Sequence, residues 1–575
     1  MPSKLKTVLF KETRFAFDSL PPRLKALFVV LFIFFVGSLG VLVWRLNQNF
    51  IVTVPTEGGS LTEGVIGPAR FVNPLLAVSD ADRDLTSLVY SGLVRVGPKG
   101  NFIPDLAKSY EVSEDKLTYT FHLKDNLRFH DGAPLTADDV RFTIEKAMDP
   151  AVKSAKRANW NGVSIEQPGP KTIQLTLKKP YPAFLENATL GVLPSHLWQN
   201  TSAESFPLHE QNLEAIGSGP YKLSKITKDS NGIPTAYELK AFSDFALGKP
   251  RLEKITIGFY KNEEELVEAY KNGQIDSLGS LSPALVKELE ESGQRVVKST
   301  LPRVFAVFFN QNHNSVFLDA TVRKALNLAV PRQEIVENIF HGYAEPLEGI
   351  FTSTNDEPTK TDLVAAKKML TDAGWKLNDQ GVMQKTTKAS KDKPAATQVL
   401  TFSLATSNIE ELKQIAEKLK ANWTALGAKV EIEIYESNDL NQNVIKPRKY
   451  DALLFGEVMG RDSNPYPFWH SSQRTDPGLN IAMYTNAKVD RLLEEARQTS
   501  GLEERNKKYF EAETEIKKDQ PVAFIYSPYF LYLLPRNIMG VSLPTLTNPA
   551  ERFVNIHKWY VRTDKVWKIF ANLYK

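Results

Sequence analysis

The hydrophobic positions of the chain form one long unbroken run near the N-terminus and many short periodic runs after it. Residues 26–44 include no charged side chain, and as a helix these 19 residues would extend about 29 Å, close to the hydrocarbon thickness of a bilayer. Secretory signal peptides have shorter apolar cores and a small-residue cleavage site, whereas this run leads through Trp44 into Arg45. The pattern predicts an uncleaved transmembrane signal anchor. A buried core helix is the alternative, although Ser38 and two glycines are all that could form a polar face.

One later stretch has the pattern of a β-α-β unit. Apolar residues recur at helical spacing over 409–426, and Asn408 is placed to cap that helix at its N-terminus. Strand-like segments flank it at 399–404 and 430–434. A helical crossover between two strands favours a parallel pairing.

Similar patterns recur along the rest of the chain. A second amphipathic helix is predicted up to residue 373, with Thr361 or Asp362 as its N-cap and Gly374 after its end. Further strand-like segments lie at 117–123, 173–177, 254–260 and 304–310. The 575 residues exceed what one hydrophobic core accommodates, so we expect a mixed α/β protein with two or more lobes.

The charge of the chain is concentrated around the apolar run. The net charge is +4, but residues 1–50 alone carry +5, so the other 525 residues sum to −1. A chain so balanced gives no support for nucleic-acid binding. Basic residues cluster before the run and only Arg45 lies just after it, which predicts a cytoplasmic N-terminal tail (1–25) and a large extracytoplasmic domain.

Several classes of chemistry are excluded by residue content. The chain has no cysteine, which rules out disulfides, thiolate metal sites, cysteine nucleophiles and a lipoprotein anchor. Its eight histidines have no H-E-x-x-H or comparable spacing, and no G-x-S-x-G is present. We therefore expect neither enzymatic activity nor a cofactor or metal.

One long motif carries a resemblance to a known family. Residues 117–140 read LTYTFHLKDNLRFHDGAPLTADDV, which resembles the signature of the bacterial extracellular solute-binding proteins of family 5, the peptide-binding proteins of ABC importers. Shorter matches follow in the family's order at 102–107, 216–223, 270–276, 308–310, 322–326, 482–490 and 521–524. Most of these residues are typical of turns and helix caps, so we interpret them as scaffold.

The resemblance implies a clamshell that closes on ligand between two α/β lobes, with a third α/β domain inserted in the first lobe. The implied boundaries are a first lobe at 51–85, 206–302 and 525–575, an inserted domain at 86–205, and a second lobe at 303–524. Hinges are expected near 302–308 and 521–526. The implied partners are a peptide or other small solute and ABC permease subunits with a cytoplasmic ATPase, and we expect a monomer.

The resemblance also implies where a peptide would be held. Family members pair a peptide's α-amino group with an aspartate after a strand of the second lobe, which makes Asp462 the candidate here. Asp462 could instead pair with Arg461 or cap the next turn. Arg461 stands where an acid is common and could reverse the pocket's charge preference, and Glu457 is a second candidate carboxylate. Trp469 could stack on ligand or pack in the core.

Asn310, from the F-N motif, completes the expected ligand-binding residues. Within the same scaffold, carriers of nickel, haem, opines and oligosaccharides are alternatives that the sequence does not separate from peptide receptors. A tethered receptor that signals rather than transports is a third possibility, and copurification with a permease or with a kinase would distinguish the two roles.

Overall fold

The computed structural model describes residues 19, 21–98, 100–181, 183–351, 360–387, 396–461, 464–499 and 501–574. The chain divides into two compact units, one formed by Met1–Gly58 with Tyr560–Lys575 and the other by Gly59–Trp559. The domain boundaries expected from the family resemblance stay predictions.

Sixteen α-helices lie in the described ranges: α1 Pro22–Phe50, α2 Asp80–Val89, α3 Ala137–Met148, α4 Arg157–Trp160, α5 Phe184–Asn187, α6 Ser195–Trp198, α7 Glu263–Lys271, α8 Pro283–Glu291, α9 Ala320–Leu328, α10 Arg332–Asn338, α11 Leu363–Asp372, α12 Glu410–Ala425, α13 Ser437–Asp439, α14 Tyr466–Trp469, α15 Ala487–Gln498 and α16 Leu502–Asp519.

The strands in the same part of the chain are β1 Ile51–Thr56, β2 Ser60–Ile66, β3 Val94–Val96, β4 Phe102–Pro104, β5 Ala107–Val112, β6 Thr118–Leu123, β7 Ser164–Gly169, β8 Thr172–Thr176, β9 Tyr221–Lys228, β10 Pro234–Ala241, β11 Lys254–Tyr260, β12 Ser277–Gly279, β13 Val296–Thr300, β14 Arg303–Phe309, β15 Ala344–Pro346, β16 Lys376–Leu377, β17 Met383–Thr387, β18 Ala396–Val399, β19 Thr401–Ser407, β20 Lys429–Tyr435, β21 Ala452–Val458, β22 Val522–Leu533 and β23 Arg562–Trp567.

The smaller unit contains the apolar helix α1 and an antiparallel ladder of β1 with β23. Residues Pro22–Leu42 of α1 are long and apolar enough to cross a membrane, and none of that segment is buried. A core helix would bury one face, so this exposure counts against the core-helix alternative.

A twelve-stranded sheet organises the larger unit, with the order β20-β19-β21-β14-β22-β12-β2-β11-β10-β9 and with β13 and β15 also pairing β22. Strand β22 joins the two halves of this sheet, because its first part pairs with β14 and its second part with β12 and β13. The chain crosses between the halves a second time from β13 to β14. The two passages touch where Ser527 Oγ donates to the Leu301 carbonyl at 3.0 Å. We call this region the crossing, and the expected hinges lie there.

The half of the sheet built on β14 is buried on both faces. Val304, Ala306 and Phe308 pack into one hydrophobic core, whereas Val307 and Phe309 pack into another on the opposite face. This two-sided burial explains why β14 reads as an unbroken apolar run rather than an alternating one.

The family-like signature and the 216–223 segment contact each other directly. His130 Nδ1 accepts from the Gly217 amide at 3.3 Å, and its Nε2 then donates to the Gly219 carbonyl at 3.1 Å. Burial lowers the pKa of His130 to about 4, so the ring is neutral at physiological pH. Glycine is required at 219 because a Cβ there would lie 2.5 Å from the backbone of Val89. These contacts agree with the interpretation of both motifs as scaffold.

Most of the predicted elements are confirmed with small shifts at their ends. The helix predicted over 409–426 is α12, and β19 and β20 on either side of it are parallel as predicted. Asp362 caps α11, accepting from the Ala365 amide at 2.7 Å. The cap predicted at Asn408 is wrong. Its side chain donates to Glu436 at 2.9 Å instead, and Ile409 occupies the N-cap position.

Candidate functional site

The segment in which the sequence places the ligand anchor leaves the sheet at the crossing. Strands β14 and β21 are antiparallel with Arg303 opposite Val458, so the end of β21 meets the start of β14. The Met459 amide then donates to the Pro302 carbonyl at 2.7 Å, which holds the following loop against the crossing. A ligand bound beside this loop would contact the place where the two halves of the sheet join.

Glu457 is a buried carboxylate at this end of β21. It lies opposite Val304 and on the same face of the strand as Leu453 and Phe455, so an acid extends an otherwise apolar surface. Its side chain forms no hydrogen bond or ion pair with any other described residue, and the residue is 7% exposed. Burial raises the pKa of Glu457 well above its usual value, and Arg448 only partly opposes this.

Arg461 spans from the loop after β21 to the segment that follows β22. Its guanidinium pairs with Glu551 at 2.6 Å and donates to the Thr545 carbonyl at 2.7 Å, and the side chain is 7% exposed. Glu551 is further fixed by the amide and hydroxyl of Thr547, at 2.7 and 2.6 Å. The positive charge of Arg461 is therefore paired with the negative charge of Glu551, and its effect on the charge preference of the site stays a prediction.

Basic groups that the sequence did not reveal also lie near the crossing. Arg303, the first residue of β14, has its pKa lowered by burial, with Asp80 opposing and Arg83 adding to the effect. Its Nε is buried and has no hydrogen-bond partner among the described residues. A guanidinium N–H in that state has hydrogen-bonding capacity left for a ligand.

Lys156 belongs to the same group of charges. Burial and then Arg83 lower the pKa of Lys156, whereas Glu186 and Glu551 raise it. Arg83 therefore lies within electrostatic reach of both Lys156 and Arg303, and we call these three residues the basic cluster. They come from three distant parts of the sequence, and no local pattern links them.

The remaining expected site residues are placed differently. Trp469 is 1% exposed and packs in the core, with ring centroids 6.2 Å from Tyr484 and 6.1 Å from Phe524. Asn310 follows the far end of β14 and donates to the Arg448 carbonyl at 3.0 Å. Six residues of strand separate it from the partner of Glu457, about 20 Å, so the structure does not bring Asn310 to the site. Asp462 lies outside the described residues.

The structure also has a cavity of about 690 Å³ away from this site. It lies along β9 and is lined by His130, Asp131, Gln211, Glu214, Ala215, Ile216, Lys222, Leu223, Ser224, Lys225, Ile226 and Lys228. No three described His, Asp or Glu side chains are grouped so that they could hold a metal ion.

Comparisons with known proteins agree with this architecture. The oligopeptide-binding protein AppA of Bacillus subtilis (strain 168) is 28% identical over 522 residues, covering 88% of this chain and 92% of AppA. The structure of AppA in complex with a nonapeptide has a TM-score of 0.66 at 27% identity, and the match covers 88% of this chain and all of that one. NikZ from Campylobacter jejuni, in complex with Ni(L-His), has a TM-score of 0.68 at 29% identity, with coverage of 87% and 99%.

The family is shown by a model that matches residues 101–478 and is described as bacterial extracellular solute-binding proteins, family 5 Middle. This span includes the 117–140 signature, the crossing from β13 to β14, and Glu457. The chain shares the mixed α/β fold of the solved structures and the solute-binding role of the matched family. The chain belongs to family 5 of the bacterial extracellular solute-binding proteins.

Proposed function

We propose that the protein is the substrate-binding protein of an ABC importer, that it binds peptides beside the crossing, and that it delivers them to permease subunits coupled to a cytoplasmic ATPase. The relationship to AppA, whose structure holds a nonapeptide, supports peptides as the ligand. An extended peptide would be enclosed as the two halves of the sheet close around the crossing.

The observation that carries this proposal is the buried carboxyl group of Glu457, which has no hydrogen-bond or ion-pair partner among the described residues. A buried charge without a partner is unfavourable, and the raised pKa of Glu457 expresses that cost. The α-ammonium of a peptide would supply the missing partner through a short charge-assisted hydrogen bond. Asp462, five residues further along, is the second candidate anchor, and the basic cluster would attract carboxylates of the same ligand.

A defined peptide mixture tests this assignment. The purified full chain in detergent is incubated with tetra- to nonapeptides, half of them N-acetylated, and the retained peptides are identified by mass spectrometry. We expect retention of the free-amine peptides and at least tenfold weaker binding of the acetylated ones, which corresponds to about 1.4 kcal/mol.

Glu457→Gln should remove most of this discrimination. Glu431→Gln, which changes an exposed glutamate on β20, is the matched control and should retain it. Equal retention of free and N-acetylated peptides would show that no carboxylate of the protein binds the α-ammonium group of the peptide. Retention of neither would contradict the peptide assignment itself.

A nickel chelate is the second candidate ligand, because NikZ was solved with Ni(L-His). An amino acid chelate brings most of its own metal ligands, so the lack of a grouped metal site among the described side chains does not count against it. Adding Ni(L-His) to the peptide assay distinguishes the two. Displacement of peptide by the chelate at equal concentration would favour the nickel role.

We also propose that α1 anchors the protein in the cell membrane with its N-terminus in the cytoplasm. The exposed apolar segment Pro22–Leu42 supports this, and so do Arg23 and Lys25 at its start and the few basic residues that follow its end. The solute-binding unit would then work outside the cytoplasm, where a family of extracellular receptors acts.

A further inference from the structure

The C-terminal segment carries a group of exposed apolar side chains that the solute-binding role does not use. Trp567, Ile569 and Phe570 are 54%, 71% and 51% exposed, and Lys565 and Lys568 among them are exposed too. Single exposed apolar residues are ordinary, but three large ones within four positions are a local concentration, and we call these three residues the patch.

The β1–β23 ladder fixes where this patch lies relative to α1. Strand β1 begins at Ile51, directly after the last residue of α1, and Ile51 is paired with Trp567. The chain then continues from β23 into the 3₁₀ segment Lys568–Tyr574, which packs beside β1. Phe50, at the end of α1, is 54% exposed. The patch is therefore next to the end of the apolar helix.

The distance along α1 from Trp44, the end of the apolar run, to the start of β1 is close to the depth of one lipid headgroup layer. Residues 45–50 continue α1 beyond Trp44 by about 9 Å at helical rise. One headgroup region is roughly 5–8 Å deep. If α1 spans the bilayer, Ile51 and Trp567 lie at the outer surface of the headgroups, where aromatic side chains and lysines are favoured.

We propose that Trp567, Ile569 and Phe570 form a second membrane contact, a footing in the outer headgroup layer that holds the C-terminus against the bilayer beside α1. This inference rests on the proposed membrane anchoring. Aromatic rings bury an apolar body at this depth and Lys565 and Lys568 meet lipid phosphates, so the occupant that the patch fits is a lipid surface rather than a protein. Two attachments, one through α1 and one through the patch, would restrain the ladder more than α1 alone.

The absence of natural cysteines allows single labelled positions to test the footing in the full chain. Phe34→Cys, Ile569→Cys and Thr563→Cys, each carrying an environment-sensitive fluorophore, are reconstituted in nanodiscs of phosphatidylcholine and phosphatidylglycerol. Spin-labelled lipids then quench whichever fluorophores reach the bilayer. Thr563 is exposed and lies four strand residues from Trp567, about 14 Å further from α1, which makes it the internal control.

We expect quenching at 34 by acyl-chain spin labels, and quenching at 569 by headgroup spin labels about twofold or more above that at 563. Quenching at 34 with equal, weak quenching at 569 and 563 would overturn the footing and leave the anchor intact. No quenching at 34 would overturn the anchor and the footing together.

Discussion

The strongest structural prediction concerns Arg552, which holds two acids in the core of the solute-binding unit. Its guanidinium bonds Glu63 at 2.9 and 2.6 Å and Asp84 at 2.7 and 2.5 Å, and all three residues are at most 3% exposed. Tyr532 also donates to Glu63. Arg552 is adjacent to Glu551, so this cluster also positions the partner of Arg461.

Arg552→Met leaves two buried carboxylates without their cation, and removing one partner of a buried ion pair costs about 3–5 kcal/mol. Protonation of Asp84 sets an upper limit on the loss of stability that this acid causes. Neutralising a carboxyl group with an ordinary pKa of 3.8 costs about 4 kcal/mol at pH 7, and the variant can avoid any larger penalty by taking up a proton. In the parent protein burial already raises the pKa of Asp84 to about 6, with Arg552 opposing. Below pH 6 Asp84 is therefore protonated in both proteins, and the loss should shrink by about 1 kcal/mol between pH 7 and pH 5.

The assay is urea unfolding of the full chain in detergent micelles, followed by tryptophan fluorescence at both pH values. Arg552→Lys is the matched variant, since it keeps the charge and loses the bidentate geometry, and it should fall between the parent and Arg552→Met. A loss below about 1 kcal/mol at pH 7, or a loss that grows toward pH 5, would refute this reasoning.

Three further predictions can be checked by the same unfolding assay. Gly219→Ala places a Cβ 2.5 Å from the last residue of α2 and should cost more than about 2 kcal/mol, whereas Gly169→Ala, with open space around it, should change stability by less than 1 kcal/mol. Burial raises the pKa of Asp105 to about 6. The folded protein therefore binds a proton more tightly than the unfolded chain does, and this contribution to the free energy of unfolding is complete below pH 3.8 and is lost as the pH rises through 6. The free energy of unfolding of Asp105→Asn should rise relative to that of the parent by about 2.4 kcal/mol between pH 4 and pH 7, and an unchanged difference would count against the buried acid. Arg461→Met and Glu551→Gln should be coupled by about 1.5–3 kcal/mol in a double-mutant cycle, and additive losses would mean that the pair does not hold the loop.

Local patterns in the sequence predicted the parts of the fold that depend on local physics. The apolar run gave α1, the alternation around residues 399–434 gave the parallel pair β19 and β20, and Asp362 caps its helix as its position indicated. In each case the deciding interactions lie within a few residues or follow from a repeating period. The Asn408 cap failed because its side chain has a competing partner, Glu436, 28 residues away.

The candidate site depends on contacts that no local pattern encodes. Arg461 meets Glu551 across 90 residues, and the basic cluster combines Arg83, Lys156 and Arg303 from three segments. Trp469 also shows this limit. The sequence around an aromatic residue near a loop is the same whether the side chain faces a ligand or the core, and Trp469 lies in the core. Only the register of β14 and β21 brings Glu457 to the crossing.

The claim that this receptor binds peptides is tested most directly by the material that copurifies with it. The full chain is purified in detergent without added ligand and denatured, and the released small molecules are identified by mass spectrometry, with metals measured in parallel. We predict peptides of mixed sequence with free N-termini and no stoichiometric metal. A single non-peptide species, or nickel at one equivalent per chain, would contradict the account.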